Sequence, residues 1–141
     1  MPTRPNMDLS PPRILVVEDS EAAQRVTMSI LTQALSAGVG VVSSVAAALR
    51  LLDRPDPPVD LVLTDLALPD DPTGGVAIAK FIRDQPPERW GRTIPVMLVT
   101  GADWGGFDRK LFTHVLLKPV ALDMFVVAVR TALQEVSCSK R

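Results

Sequence analysis

Five side chains stand out because their types and positions could act on one charged group. They are the carboxylates of Glu18, Asp19 and Asp65, the hydroxyl of Thr100 and the ammonium of Lys118. Each follows or ends a short apolar run: Ile14-Leu15-Val16-Val17 before Glu18-Asp19, Leu61-Val62-Leu63-Thr64 before Asp65, Val96-Met97-Leu98-Val99 before Thr100, and Val115-Leu116-Leu117 before Lys118. A lone Asp after a strand is usually a loop residue or a helix cap. Several such residues, each at a strand terminus, call for a shared explanation. Three gathered carboxylates repel one another, by about 4 kcal/mol per pair at roughly 4 Å and an effective dielectric near 20. A divalent cation offsets that repulsion, and a hard, oxygen-only ligand set with open positions suits Mg²⁺.

The elements that must position these residues follow from the pattern of apolar residues. Residues 13–17 are too continuously apolar for a half-exposed strand and fit one buried on both faces. Ser20 is placed to cap a helix that carries Ala22, Val26, Ile30 and Leu31 and runs to about Leu35. Val39 to Ser43 reads as a second strand, and Ser44 as the cap of a second helix with Val45, Ala48, Leu49 and Leu52. The proline-rich stretch from Asp53 to Pro58 is a loop. Asp60 to Thr64 is the third strand, followed by a loop with Pro69, Pro72, Gly74 and Gly75 and a helix with Val76, Ile78, Ala79 and Ile82. Asp84 to Arg92 reads as a polar loop, Ile94 to Val99 as the fourth strand and Val115 to Leu117 as the fifth. Leu122 to Val136 is a closing amphipathic helix. Buried strands alternating with helices imply an α/β fold with a parallel sheet covered on both sides. In such a sheet the carboxyl ends of the strands share one edge, where ligands bind.

Composition narrows the function classes. The chain has 141 residues, enough for one domain with its own core; 47% are hydrophobic and 22% charged, with a formal net charge of −1. That balance gives no field to attract nucleic acid or an anionic membrane, so neither is expected as a partner. No apolar run is long enough to span a bilayer. Residues 1–12 are polar with four prolines and lack the apolar stretch of a secretion signal, and they read as a flexible tail. Residues 137–141 read as a second tail, with the lone cysteine, Cys138, as an idle thiol. A reducing, cytoplasmic location is the expectation.

From Arg13 to Val136 the chain resembles a CheY-like response-regulator receiver domain of two-component signalling. The segments that carry the resemblance are Ile14-Leu15-Val16-Val17-Glu18-Asp19-Ser20, Asp60-Leu61-Val62-Leu63-Thr64-Asp65-Leu66, Pro69 with Gly74 downstream, Ile94-Pro95-Val96-Met97-Leu98-Val99-Thr100-Gly101, and Leu116-Leu117-Lys118-Pro119. The resemblance implies a flavodoxin-like, doubly wound (βα)5 fold with strand order 2-1-3-4-5, and a free-standing domain at residues 13–136. It implies that Asp65 is the phosphoacceptor, attacking a phosphohistidine on a histidine kinase or histidine phosphotransfer protein. Mg²⁺ would be held by Asp19, Asp65 and the backbone carbonyl of Ala67, with Glu18 acting through water. Lys118 would neutralise charge on the phosphoryl group and Thr100 would donate its hydroxyl to it. The Lys118–Pro119 bond is expected to be cis. The chain would catalyse only its own phosphorylation and dephosphorylation, and would signal by binding a downstream protein when phosphorylated. Pairing with a second copy is left open.

Two departures from the family pattern matter. The usual aromatic switch residue three positions before the lysine is Val115 here, next to His114, which reads as a partly exposed strand-end residue. Only residues 101–117 separate Thr100 from Lys118, and Gly101, Gly105 and Gly106 weaken helix, so the fourth helix should be short or irregular. Trp104 is expected to cover apolar surface there. The competing readings are a receiver-like interaction module that works without phosphate and a haloacid-dehalogenase-type phosphatase. The latter class needs a second acid two residues after its nucleophile, where this chain has Ala67.

Overall fold

In a computed structural model that describes residues 10–101, 106 and 108–139, five parallel strands form the centre. They are β1 (Arg13–Val17), β2 (Gly38–Val42), β3 (Leu61–Thr64), β4 (Val96–Thr100) and β5 (His114–Leu117), in the order β2-β1-β3-β4-β5. The helices are α1 (Glu21–Leu35), α2 (Val45–Leu52), α3 (Gly74–Arg83), the single turn α4 (Pro87–Trp90) and α5 (Leu122–Ser139). This is the expected doubly wound sheet. Adjacent side chains on a strand point to opposite faces, so β1 feeds two cores. Leu15 and Val17 join Val62, Val96 and Leu98 under α2 and α3, and Ile14 and Val16 join Leu61, Leu63 and Met97 under α1 and α5. Both faces are covered, which is why the central strands carry no alternating polar residues.

Helix α2 buries Val45, Ala48 and Leu52, and α5 buries Phe125, Val129 and Ala132, whereas α1 buries only Leu31 of its expected stripe, with Ile30 half-buried and Ala22 and Val26 exposed. The expected caps are present, with Ser20 accepting from the Ala23 amide and Ser44 from the Ala47 amide.

Two further local expectations change, and one is met. The stretch read as a loop from Asp84 to Arg92 contains α4, begun by Pro87 and stopped at Gly91 with φ 67°. Proline at the first helical position surrenders no hydrogen bond, so it starts this turn rather than preventing it. Between β4 and β5 the described residues hold only a 3₁₀ turn, Arg109–Leu111, which fits the short or irregular element expected there; Trp104 and Gly105 lie outside the described residues. The closing helix reaches Ser139 and so takes in part of the expected C-terminal tail. Of the expected N-terminal tail, residues 1–9 lie outside the described residues, as does the side chain of Cys138.

Candidate functional site

The carboxyl edge of the sheet gathers the predicted residues. The Asp65 amide donates to the Val17 carbonyl at 3.1 Å, carrying the β1–β3 pairing one residue past the strand. The Glu18 amide does the same toward β2, donating to Val42 O at 3.0 Å. These two bonds place Glu18 and Asp65 side by side. Carboxylate oxygens of Glu18, Asp19 and Asp65 all lie within 4.8 Å of one another. Lys118 reaches in from the end of β5, with Nζ 3.5 Å from Asp65 Oδ2 and 3.6 Å from Glu18 Oε1. Its own amide donates to Thr100 O at 2.8 Å, so the ends of β4 and β5 are tied together, and the Lys118–Pro119 peptide is cis.

The acids differ in exposure. Glu18 is buried, Asp65 half-buried and Asp19 exposed. Glu18 is also the most constrained: Oε2 accepts from the Ser20 amide at 3.1 Å, and Gln24 donates to its backbone carbonyl. Burial pushes its carboxyl above the ordinary range; the neighbouring Asp65 and Asp19 charges push the same way, against the Ser20 amide and Lys118. Asp65 Oδ1 accepts from the Leu66 amide at 3.2 Å, and its backbone carbonyl accepts from the Thr64 hydroxyl at 2.8 Å. A cleft lined by Ala23, Thr27, Val99 and Phe125 runs up to Glu18, Asp65 and Lys118 between α1 and α5.

The structure therefore brings Glu18, Asp19, Asp65 and Lys118 together. Thr100 is fully buried at the end of β4, and Ala67 is exposed on the loop two residues after Asp65. His114 begins β5 and so lies at the opposite edge of the sheet, half-buried, with no hydrogen-bond partner for Nδ1 among the described residues. Val115, in the place of the usual aromatic, packs against the core under α3. Two supporting residues were not anticipated. Gln24 could have been suspected from its place one turn after the Ser20 cap. Asp70 follows Pro69 and reads as an ordinary turn residue, yet its carboxylate bonds the start of α2.

A half-buried carboxylate grouped with two further acids and faced by an ammonium is an arrangement that can hold a hard divalent cation and receive an anionic, oxygen-rich group. Known proteins resemble this chain over most of its length. The family model of the response regulator receiver domain matches residues 14–130. Among solved structures, a CheY-like receiver domain from Methylobacillus flagellatus is 28% identical with a TM-score of 0.72, over 87% of this chain and 99% of that one. The signal receiver domain of an HD domain-containing protein from Pseudomonas fluorescens Pf-5 is 26% identical with a TM-score of 0.71, over 92% of this chain and 99% of that one. The non-phosphorylated HemR receiver domain from Leptospira biflexa is 26% identical with a TM-score of 0.67, over 86% and 94%. Curated proteins yield no match.

Proposed function

The chain belongs to the response regulator receiver domain family, and from that premise we propose that it accepts a phosphoryl group on Asp65 from a phosphohistidine of a histidine kinase or histidine phosphotransfer protein. The observation that carries this reading is the setting of Asp65: a half-buried carboxylate grouped with Glu18 and Asp19 and faced by Lys118 Nζ at 3.5 Å. In the transfer, an Asp65 oxygen attacks phosphorus, a P–O bond forms, and the P–N bond breaks with its electron pair returning to the histidine nitrogen. No step needs an oxidant or reductant.

The donor set fits Mg²⁺, because three carboxylates crowded within 4.8 Å are an unfavourable arrangement that a hard dication relieves. Asp19, Asp65 and the Ala67 carbonyl would hold it, with Glu18 reaching it through water. When bound it supplies positive charge to the phosphoryl oxygens. Lys118 supplies the remaining cation, and Thr100 a hydroxyl at the end of the neighbouring strand. Those two side chains report the phosphoryl group to the rest of the domain, and the phosphorylated form binds a downstream protein. With Val115 in the aromatic position, that report uses some other moving part.

The test is incubation with a small acyl phosphate and Mg²⁺. The reading expects one phosphoryl adduct that is lost in mild base, as an acyl phosphate is, and that does not form when a chelator removes the metal. An adduct that survives base, or forms equally with chelator present, overturns it.

A further inference from the structure

The loop after Asp65 is closed on itself. Leu68 and Asp71 exchange backbone hydrogen bonds, with Leu68 N donating to Asp71 O at 2.9 Å and Asp71 N to Leu68 O at 3.0 Å. The Asp71 carboxylate accepts from the Thr73 amide at 2.9 Å, and Leu66 O accepts from Gly75 N at 2.9 Å. Leu66 and Leu68 are buried. These bonds tie the segment into one unit.

At its tip, Asp70 reaches out of the loop. Its Oδ1 accepts from Val45 N and its Oδ2 from Ala46 N, both at 3.0 Å. A helix begins with four amides that lack partners inside it. In α2 the Val45 and Ala46 amides go to Asp70 and the Ala47 amide to the Ser44 hydroxyl, and Ala48 makes the first bond of the helix itself, to the Ser44 carbonyl. Two of the amides at this helix start are thus satisfied by a residue about 25 positions away. The junction is also tight: a Cβ on Gly74 would stand 2.6 Å from Val45 Cγ2 and 2.8 Å from Leu68 Cδ1. An exposed aspartate has water available on every side, so the two-pronged engagement is not forced by burial. It is favoured by the amides and by the positive end of the helix.

We propose that Asp70 is a positioning residue for the acceptor site, latching the loop that carries Ala67 to the first turn of α2 and thereby holding that loop in its metal-binding form. The inference rests on the reading of Asp65 and its neighbours as a Mg²⁺-dependent acceptor site. It has a reciprocal consequence. If the latch favours the metal-bound loop, the metal must tighten the latch by the same factor. Mg²⁺ should therefore slow exchange of the Val45 and Ala46 amides, which lie on a different element from the proposed ligands.

The experiment compares Mg²⁺ affinity by calorimetry, and amide exchange by NMR with and without Mg²⁺, in the wild type, Asp70→Ala, Asp70→Asn and Ser44→Ala. Ser44→Ala removes the other cap of the same helix and leaves the acceptor loop untouched, so it separates helix stability from positioning. We expect Asp70→Ala to weaken Mg²⁺ binding about fivefold or more, in the usual range of site-to-site coupling. Asp70→Asn keeps one acceptor oxygen and should recover part of that loss, and Ser44→Ala should bind as the wild type does. Mg²⁺-dependent protection of Val45 and Ala46 should appear in the wild type and vanish in Asp70→Ala. Equal Mg²⁺ affinity in wild type and Asp70→Ala, or an equal loss in Ser44→Ala, overturns the latch while leaving the acceptor reading standing. A wild-type protein that binds no Mg²⁺ overturns the acceptor reading and the latch with it.

Discussion

Gly75 offers a sharp test of how tightly the acceptor strand is held. It is the second residue of α3, and its backbone is not in the left-handed region, so conformation alone would accept alanine. Space would not. A Cβ there would stand 2.5 Å from the carbonyl oxygen of Asp65 and 3.0 Å from Leu98 Cδ1. The leucine tip can rotate away. The carbonyl belongs to the backbone just past β3 and is itself bonded by the Thr64 hydroxyl, so it can yield only if α3 and the end of β3 separate. Ordinary carbon–oxygen contacts begin near 3.3 Å, so the required movement is about 0.8 Å. Overpacking of this kind costs about 1–3 kcal/mol, against a gain of up to about 1 kcal/mol from alanine's higher helix propensity. The net expectation for Gly75→Ala is a loss of about 1–2 kcal/mol in urea melts. The displaced residue is the acceptor, and misplacement by about 1 Å can cost about a hundredfold in rate. Phosphoryl incorporation should therefore fall by about tenfold or more, far beyond what the stability loss explains. Gly40 is the control: nothing lies within 4 Å of its added Cβ, so Gly40→Ala should label as the wild type does. A Gly75→Ala protein with wild-type stability and labelling rate would refute the packing argument.

Further predictions concern charge. The Glu18 carboxyl is raised in the folded chain, mainly by burial. The folded state then holds that proton to higher pH than the unfolded state, so the metal-free protein loses stability as pH rises from the ordinary glutamate value through the raised one. Glu18→Gln should remove that part of the pH profile and raise the urea midpoint at neutral pH; a profile superimposable on the wild type would contradict it. Asp19→Asn should weaken Mg²⁺ binding in titrations without lowering the stability of the metal-free protein, because it relieves repulsion within the acid group. Arg92, only 9% exposed, donates to the carbonyls of Val59 and Pro57, both at 2.6 Å, on the edge of the sheet opposite the acids. Arg92→Ala removes both bonds, leaving Pro57 O with the Val59 amide alone, and should cost about 1–3 kcal/mol, while the folded fraction still accepts phosphate normally; a melt within error of the wild type would refute it.

Much of the site was legible because it depends on local signals that tertiary structure did not override. Apolar runs buried on two faces end abruptly at acids, at Thr100 and at Lys118, and a parallel sheet brings such ends together. Ser20 and Ser44 cap the helices that follow them, as their type and place suggest. The turn α4 was hidden because its stability is tertiary. Arg89 pairs with Asp53 at 2.7 Å and Trp90 Nε1 donates to Arg54 O at 2.9 Å, across 36 positions of sequence, while Pro86 and Pro87 look like loop. Asp70 was hidden for the same reason: its partners are two backbone amides, and backbone amides leave no mark in a sequence. β2 starts earlier than its β-branched residues suggest because Gly38 is drawn into the sheet, pairing with Arg13 and donating to Pro12 O at 2.8 Å.

The central claim is that Asp65 is where the phosphoryl group lands. Intact-protein mass spectrometry after incubation with a small phosphodonor and Mg²⁺ tests it most directly, run on the wild type and on Asp65→Ala. The account predicts a single phosphoryl adduct on the wild type and none on the variant, with the variant still folded by circular dichroism. An undiminished adduct on folded Asp65→Ala would contradict it.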